Sequence, residues 1–292
     1  MINKKNVLRS INIILTIFLL AFSYAYIKSL LSRVDFESIS IDIAFVALSA
    51  ALFIAGYTLF AFNWLFGARI FDRNITKYQL LVFFASQPYK YLPTSLFVFS
   101  SRAVFSKKLG LPLKQSSVAQ VIENSALFAA NFSLFAVLCG IMASTLLGCI
   151  VVAVIATILI FAYFKKSIQI NIKQKSLSLS THNLLKMYLL SVLGWIMVGM
   201  AFVSLNKSIG LDIKFISLIA ANTIAFSLSM LAFFAPGGIG VRELVYSSFS
   251  VNALAIIYWR IMVFALDFVV GIPSVVAIKY IENKLASEKL IN

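Results

Sequence analysis

From Ile43 to Phe66 the chain carries no charged side chain, a run longer than the roughly 20 residues a helix needs to cross a bilayer. Comparable apolar runs extend from about Ile11 to Leu31, from Ser117 to Cys139, onward to about Phe164, from Leu184 to Leu205 and from Ala253 to Ile278. Hydrocarbon offers no water to backbone N–H and C=O groups, so each run must satisfy them internally, as a helix. The pattern predicts an all-α integral membrane protein. Composition agrees: 61% of the residues are hydrophobic and 12% charged, where a soluble domain is about 25% charged. The first run follows Lys4, Lys5 and Arg9, and Ser23-Tyr24-Ala25 resembles a leader-cleavage triplet. It is longer than the apolar core of a signal peptide, so it reads as a retained span.

Two segments break the pattern. Tyr78 to Arg102 is apolar but contains Pro88 and Pro93, and proline removes a helix donor and disfavours helix in the residue before it. Two half-helices joined near Tyr91-Leu92-Pro93 fit better than one span. Phe215 to Phe249 is interrupted at Pro236-Gly237-Gly238. Read as re-entrant helical hairpins, these segments leave about six transmembrane helices. The chain then forms one membrane domain, 1–292, with no soluble domain. It divides into halves, 1–141 and 142–292, each ordered span, span, hairpin, span and starting on opposite sides of the membrane. That is an inverted repeat, and interrupted segments at matching places point to a substrate site between the halves. Pro93 is followed nine residues later by Arg102, and Pro236 six residues later by Arg242.

Lys and Arg near span ends set orientation. With the N-terminus inside and both hairpins re-entrant, 17 of the 25 Lys and Arg lie inside and 4 outside. The other 4 (Lys90, Arg102, Arg242 and Arg260) fall in or beside membrane segments. Both termini are therefore expected on the cytoplasmic side of a multi-pass membrane protein. The net charge of +15 is mostly this topology signal. Nucleic acid is not an expected partner, because a basic groove needs soluble surface. Cys139 and Cys149 lie in apolar stretches, and His182 sits in a polar loop without clustered partners. No metal site or cofactor is expected, and no nucleotide-binding glycine–lysine loop occurs.

The most informative string is Phe233-Phe234-Ala235-Pro236-Gly237-Gly238-Ile239-Gly240-Val241-Arg242-Glu243. Proline and paired glycines permit a sharp turn, after which a helix can begin near Ile239. Its first amides lack intrahelical partners and attract anions. Arg242 adds a fork that grips phosphate in two places, while Glu243 either caps those amides or balances Arg242. Gln120, Glu123, Asn124 and Asn131 share one face of a helix. Such a stripe should face protein or a wet cavity. Arg260 and Asp267 lie about 10 Å apart along the last span, too far to pair directly; Glu123 and Glu243 are the candidate partners of Arg260. Lys90 is expected to snorkel towards the cytoplasm.

The string from Pro236 to Glu243 resembles the proline–glycine–glycine–hydrophobic–glycine–valine–X–glutamate signature of the membrane region of lysylphosphatidylglycerol synthases and their stand-alone, flippase-like relatives. Tyr91-Leu92-Pro93 through Arg102 is similar to that family's earlier tyrosine–leucine–proline segment, with Thr94 and Ser95 where glycine is usual. Glu123 stands where relatives show glutamate–arginine, with Asn124 in place of the arginine, and Tyr258-Trp259-Arg260 looks like the arginine region of the last helix. The resemblance implies handling of a lipid whose headgroup must cross the bilayer. It also implies a stand-alone form without the synthase domain, since the chain ends fourteen residues after Ile278.

These readings converge on a membrane transporter or flippase for an anionic phospholipid or a polyprenyl-phosphate-linked lipid, and not on an enzyme. The expected substrate-binding residues are Arg242, Glu243, Gly237, Gly238, Gly240, Pro236, Arg102, Glu123, Arg260 and Asp267. Movement would be passive or coupled to a gradient. The alternative is a membrane glycosyltransferase using a lipid-phosphate sugar donor, with Asp35 and Glu37 as its acidic pair. A third class is a non-transporting organiser of cell-envelope biosynthesis proteins, which are also candidate partners of a transporter.

Overall fold

The computed structural model describes residues 41–72, 74–92, 94, 96–143, 181–211, 214–232 and 238–291. Among these the chain is helical almost throughout and contains no strand. The helices are α1 (Ile43–Arg69), α2 (Gln79–Ser86), α3 (Leu96–Lys108), α4 (Leu113–Met142), α5 (Thr181–Ser208), α6 (Phe215–Leu231), α7 (Val241–Ser248) and α8 (Ala253–Ile291), with a 3-10 turn at Gln87–Tyr91. The expected spans from Ile11 and to Phe164 lie outside the described residues, as do Asp35, Glu37, Pro93, Ser95, Pro236 and Gly237.

Four described helices are long and apolar enough to cross a membrane: Ile43–Arg69, Leu113–Met142, His182–Ser208 and Ala253–Leu285. They point to a membrane protein. The last helix runs beyond its apolar stretch, because Lys279, Glu282 and Lys284 favour helix as well as water.

Helices α1 and α5 pack most closely, and small residues explain how. A Cβ on Gly56 would lie 2.7 Å from Val198 Cγ2 and 2.9 Å from the Gly194 carbonyl oxygen, while Gly194 itself sits under the Phe60 ring. Between apolar helices in lipid, close backbone approach and a few polar bonds replace the hydrophobic drive. Here Asn63 Nδ2 donates to Ser191 Oγ at 2.8 Å, Ser49 Oγ to the Ala201 carbonyl at 2.6 Å and Ser204 Oγ to the Phe45 carbonyl at 2.9 Å. Rings of Phe60, Trp195 and Phe226 continue the core towards α6.

The two interrupted segments each form a pair of antiparallel helices. Gln79 Nε2 donates to the Ser106 carbonyl at 3.2 Å, joining the start of α2 to the end of α3. The 3-10 turn, opened by Pro88, therefore lies at the far end. In the second segment Arg242 of α7 meets Ser229 of α6, and Tyr246 meets Asn222. The closeness of Gly271 on α8 to Pro88, whose Cγ lies 2.5 Å from where a Cβ would stand, seats the first turn directly against the last helix.

Candidate functional site

Helix α7 begins after two glycines in left-handed backbone, Gly238 at φ +70 and Gly240 at φ +87. A side chain at Gly238 would collide with Ser229. Its absence lets α7 turn back against α6, so that Arg242 Nε donates to Ser229 Oγ at 2.9 Å. Glu243 takes the Gly240 N–H at 2.7 Å with one carboxylate oxygen and Arg260 Nε at 2.6 Å with the other. Of the two roles open to Glu243 in the sequence, it thus caps the helix, and its cationic partner is Arg260 rather than Arg242.

Two further ion pairs surround the same region. Arg102 Nη1 meets Glu123 Oε2 at 2.5 Å, and Lys90 Nζ meets Asp267 Oδ2 at 2.7 Å. Asp267 also accepts from the Tyr91 hydroxyl at 2.7 Å, and Lys90 donates to the Tyr57 hydroxyl at 3.2 Å. Lys90 corrects an expectation: it does not reach for the interface. The 3-10 turn points it inward, where it is 8% exposed and held between the Tyr57 and Tyr91 rings. A buried acid two helical turns from Arg260 needs its own cation, and Lys90 supplies it.

The two hairpins carry the same local device. Ser86 Oγ donates to the Phe83 carbonyl and accepts from Arg102 Nε, whose guanidinium lies 4.8 Å from the Phe83 ring centroid. Ser229 Oγ donates to the Phe226 carbonyl and accepts from Arg242 Nε, whose guanidinium lies 4.7 Å from the Phe226 ring. Each is a phenylalanine, a serine three residues later and an arginine from the returning helix. Sequence reasoning missed Phe83, Ser86, Phe226 and Ser229. The repeated phenylalanine–X–X–serine spacing was the available signal. The two devices differ in one respect. Arg102 is neutralised by Glu123, whereas Arg242 makes no ion pair among the described residues.

Both arginines open onto one cavity of about 70 Å³, which Lys90, Tyr57, Asn124 and Ser229 also line. That is room for a few waters or one small polar group. Phe99, Asn124, Phe128 and Met230 form a boundary shared with a second space of about 680 Å³ between α3, α4 and the end of α6. This groove is lined mainly by apolar side chains, with Leu96, Val121 and Leu231 half-exposed along it. Of the expected polar stripe, Gln120, Glu123 and Asn131 are buried and Asn124 stands at the boundary.

The structure thus gathers Arg242, Gly238, Gly240, Glu243, Arg260, Arg102, Glu123 and Asp267 around one polar centre; Pro236 and Gly237 lie outside the described residues. Among the described residues no group of His, Cys, Asp and Glu is placed to hold a metal ion. Neither a family model nor a curated protein matches the chain.

Proposed function

We propose that the protein carries an anionic lipid, a phospholipid or a polyprenyl-phosphate-linked lipid, across the cytoplasmic membrane, its phosphate held at Arg242. The observation that supports this most directly is a buried guanidinium in a cavity wall that has no acid of its own among the described residues. Leaving a charge unpaired in a low-dielectric interior is costly, so such a group is best accounted for by a ligand that completes it. Ser229 fixes its Nε and leaves the remaining N–H groups for phosphate oxygens. The apolar groove beyond Asn124 gives the lipid tail a place outside the polar centre while the headgroup enters.

In this reading the antiparallel helix pairs α2–α3 and α6–α7 are re-entrant hairpins of an inverted repeat with about six spans. The matched phenylalanine–serine–arginine devices support it, since unrelated halves have no reason to repeat them. The Lys and Arg distribution supports cytoplasmic termini. The likeness to the membrane region of lysylphosphatidylglycerol synthases supports lipid cargo. The residues that would serve a glycosyltransferase, Asp35 and Glu37, lie outside the described part of the chain, and no described feature favours that reading.

The test is reconstitution in liposomes containing phosphatidylglycerol with a fluorescent tail, followed by quenching from outside. Arg242→Ala should slow protein-dependent movement at least about tenfold, the effect of losing a charge-assisted contact, while elution and melting stay those of the wild type. Undiminished movement in a well-folded variant would defeat the proposal.

A further inference from the structure

We infer that the cavity accepts a headgroup with a single negative charge, a phosphodiester, and rejects phosphomonoesters and diphosphates. The inference rests on Arg242 being the headgroup anchor and goes on to ask how much charge that anchor can balance. Among the described residues, four cations, Lys90, Arg102, Arg242 and Arg260, and three acids, Glu123, Glu243 and Asp267, stand around the cavity. Each acid is held by its own cation. Within a pair the total charge is zero whichever partner keeps the shared proton, so the pairs contribute nothing to the balance. What remains is one positive unit, on Arg242.

A phosphodiester brings that balance to zero. A monoester or a diphosphate brings a second negative charge, which would stay uncompensated where water is scarce. Arg102 cannot easily be recruited to meet it. Its guanidinium lies over the Phe83 and Trp64 rings, and taking it from Glu123 would strand a fully buried carboxylate. The same phosphodiester chemistry could come from a lipid or from a soluble glycerol phosphodiester. The groove of about 680 Å³ that shares Phe99, Asn124, Phe128 and Met230 with the cavity favours the lipid.

The experiment measures lipid retention by native mass spectrometry on the full chain in detergent at pH 8. The probes are phosphatidylglycerol, phosphatidic acid with identical tails, a polyprenyl diphosphate, and tail-less glycerophosphoglycerol as competitor. At this pH phosphatidic acid carries close to two charges. Phosphatidylglycerol should bind at least about tenfold more tightly than either dianionic lipid, and the tail-less competitor should not displace it. Glu123→Gln frees Arg102 and adds one positive unit, so it should shift the preference towards phosphatidic acid by a similar factor; Asp267→Asn makes the same change in charge if Glu123→Gln does not fold. Equal binding of mono- and dianionic lipids, both lost in Arg242→Ala, would overturn the charge rule and leave the headgroup anchor standing. An unshifted preference in the charge variants would also overturn it. Lipid binding indifferent to Arg242→Ala would overturn the anchor itself, and displacement by the tail-less competitor would overturn the lipid as the source.

Discussion

Asp267 is fully buried, and Lys90 and Tyr91 converge on one of its oxygens. The energetic logic of such a pair is asymmetric. Removing one partner strands the other, at a cost of about 3–5 kcal/mol, whereas replacing both with apolar side chains is often neutral. Lys90→Met should therefore destabilise the protein by about 3–5 kcal/mol, and Lys90→Met combined with Asp267→Leu should recover most of it. Thermal melts of the four proteins in one detergent give the coupling; additive single effects would show that the pair is not coupled. The sequence placed Asp267 in the polar centre but sent Lys90 away from it. A lysine next to an interruption has a flexible stem that serves either fate, and the choice depends on where the 3-10 turn lies against α8.

At the level of elements, the α1–α5 contact was legible only as two apolar helices. Which faces meet depends on Gly56 and Gly194, and nothing in an apolar sequence distinguishes a packing glycine from an idle one. Gly56→Leu would drive a side chain into the Gly194 carbonyl and Val198, contacts that include backbone and so cannot simply rotate away. Overpacking of this kind costs about 1–3 kcal/mol or more. The variant should melt below the wild type, and a melting point equal to the wild type would mean that α1 and α5 pack less tightly than their geometry shows. The helix interruptions were more readable. Pro88 opens the 3-10 turn and Gly238 and Gly240 precede α7, because proline and left-handed glycine punctuate helix whatever surrounds them.

At the scale of the whole molecule, two contacts fix which helix ends share a side. The Asp42 N–H donates to the Ser208 carbonyl at 2.8 Å, and Lys108 Nζ pairs with Glu282 at 2.8 Å. The first joins the start of α1 to the end of α5, and the second joins the end of α3 to the charged end of α8. Basic residues are dense at the second end, the end that faces the cytoplasm in the topology proposed above. A cysteine introduced at Lys207, with Cys139 and Cys149 replaced, should react with a membrane-impermeant thiol reagent added to intact cells, and one at Lys108 should not. Labelling in the reverse pattern would overturn the proposed orientation.

Taken by itself, the sequence determined that the chain is helical, that its long helices are apolar enough to cross a membrane, where its helices break, and which residues carry charge into the apolar region. These follow from local physics: backbone satisfaction in hydrocarbon, proline and glycine stereochemistry, and the cost of burying ions. Only the tertiary structure decided the pairing. Arg102 with Glu123, Lys90 with Asp267 and Arg260 with Glu243 each join residues from separate helices. That Arg242 is left without an acid among the described residues of the polar centre is a property of the whole set of contacts, since a charge there is free only after its neighbours have found their partners in space.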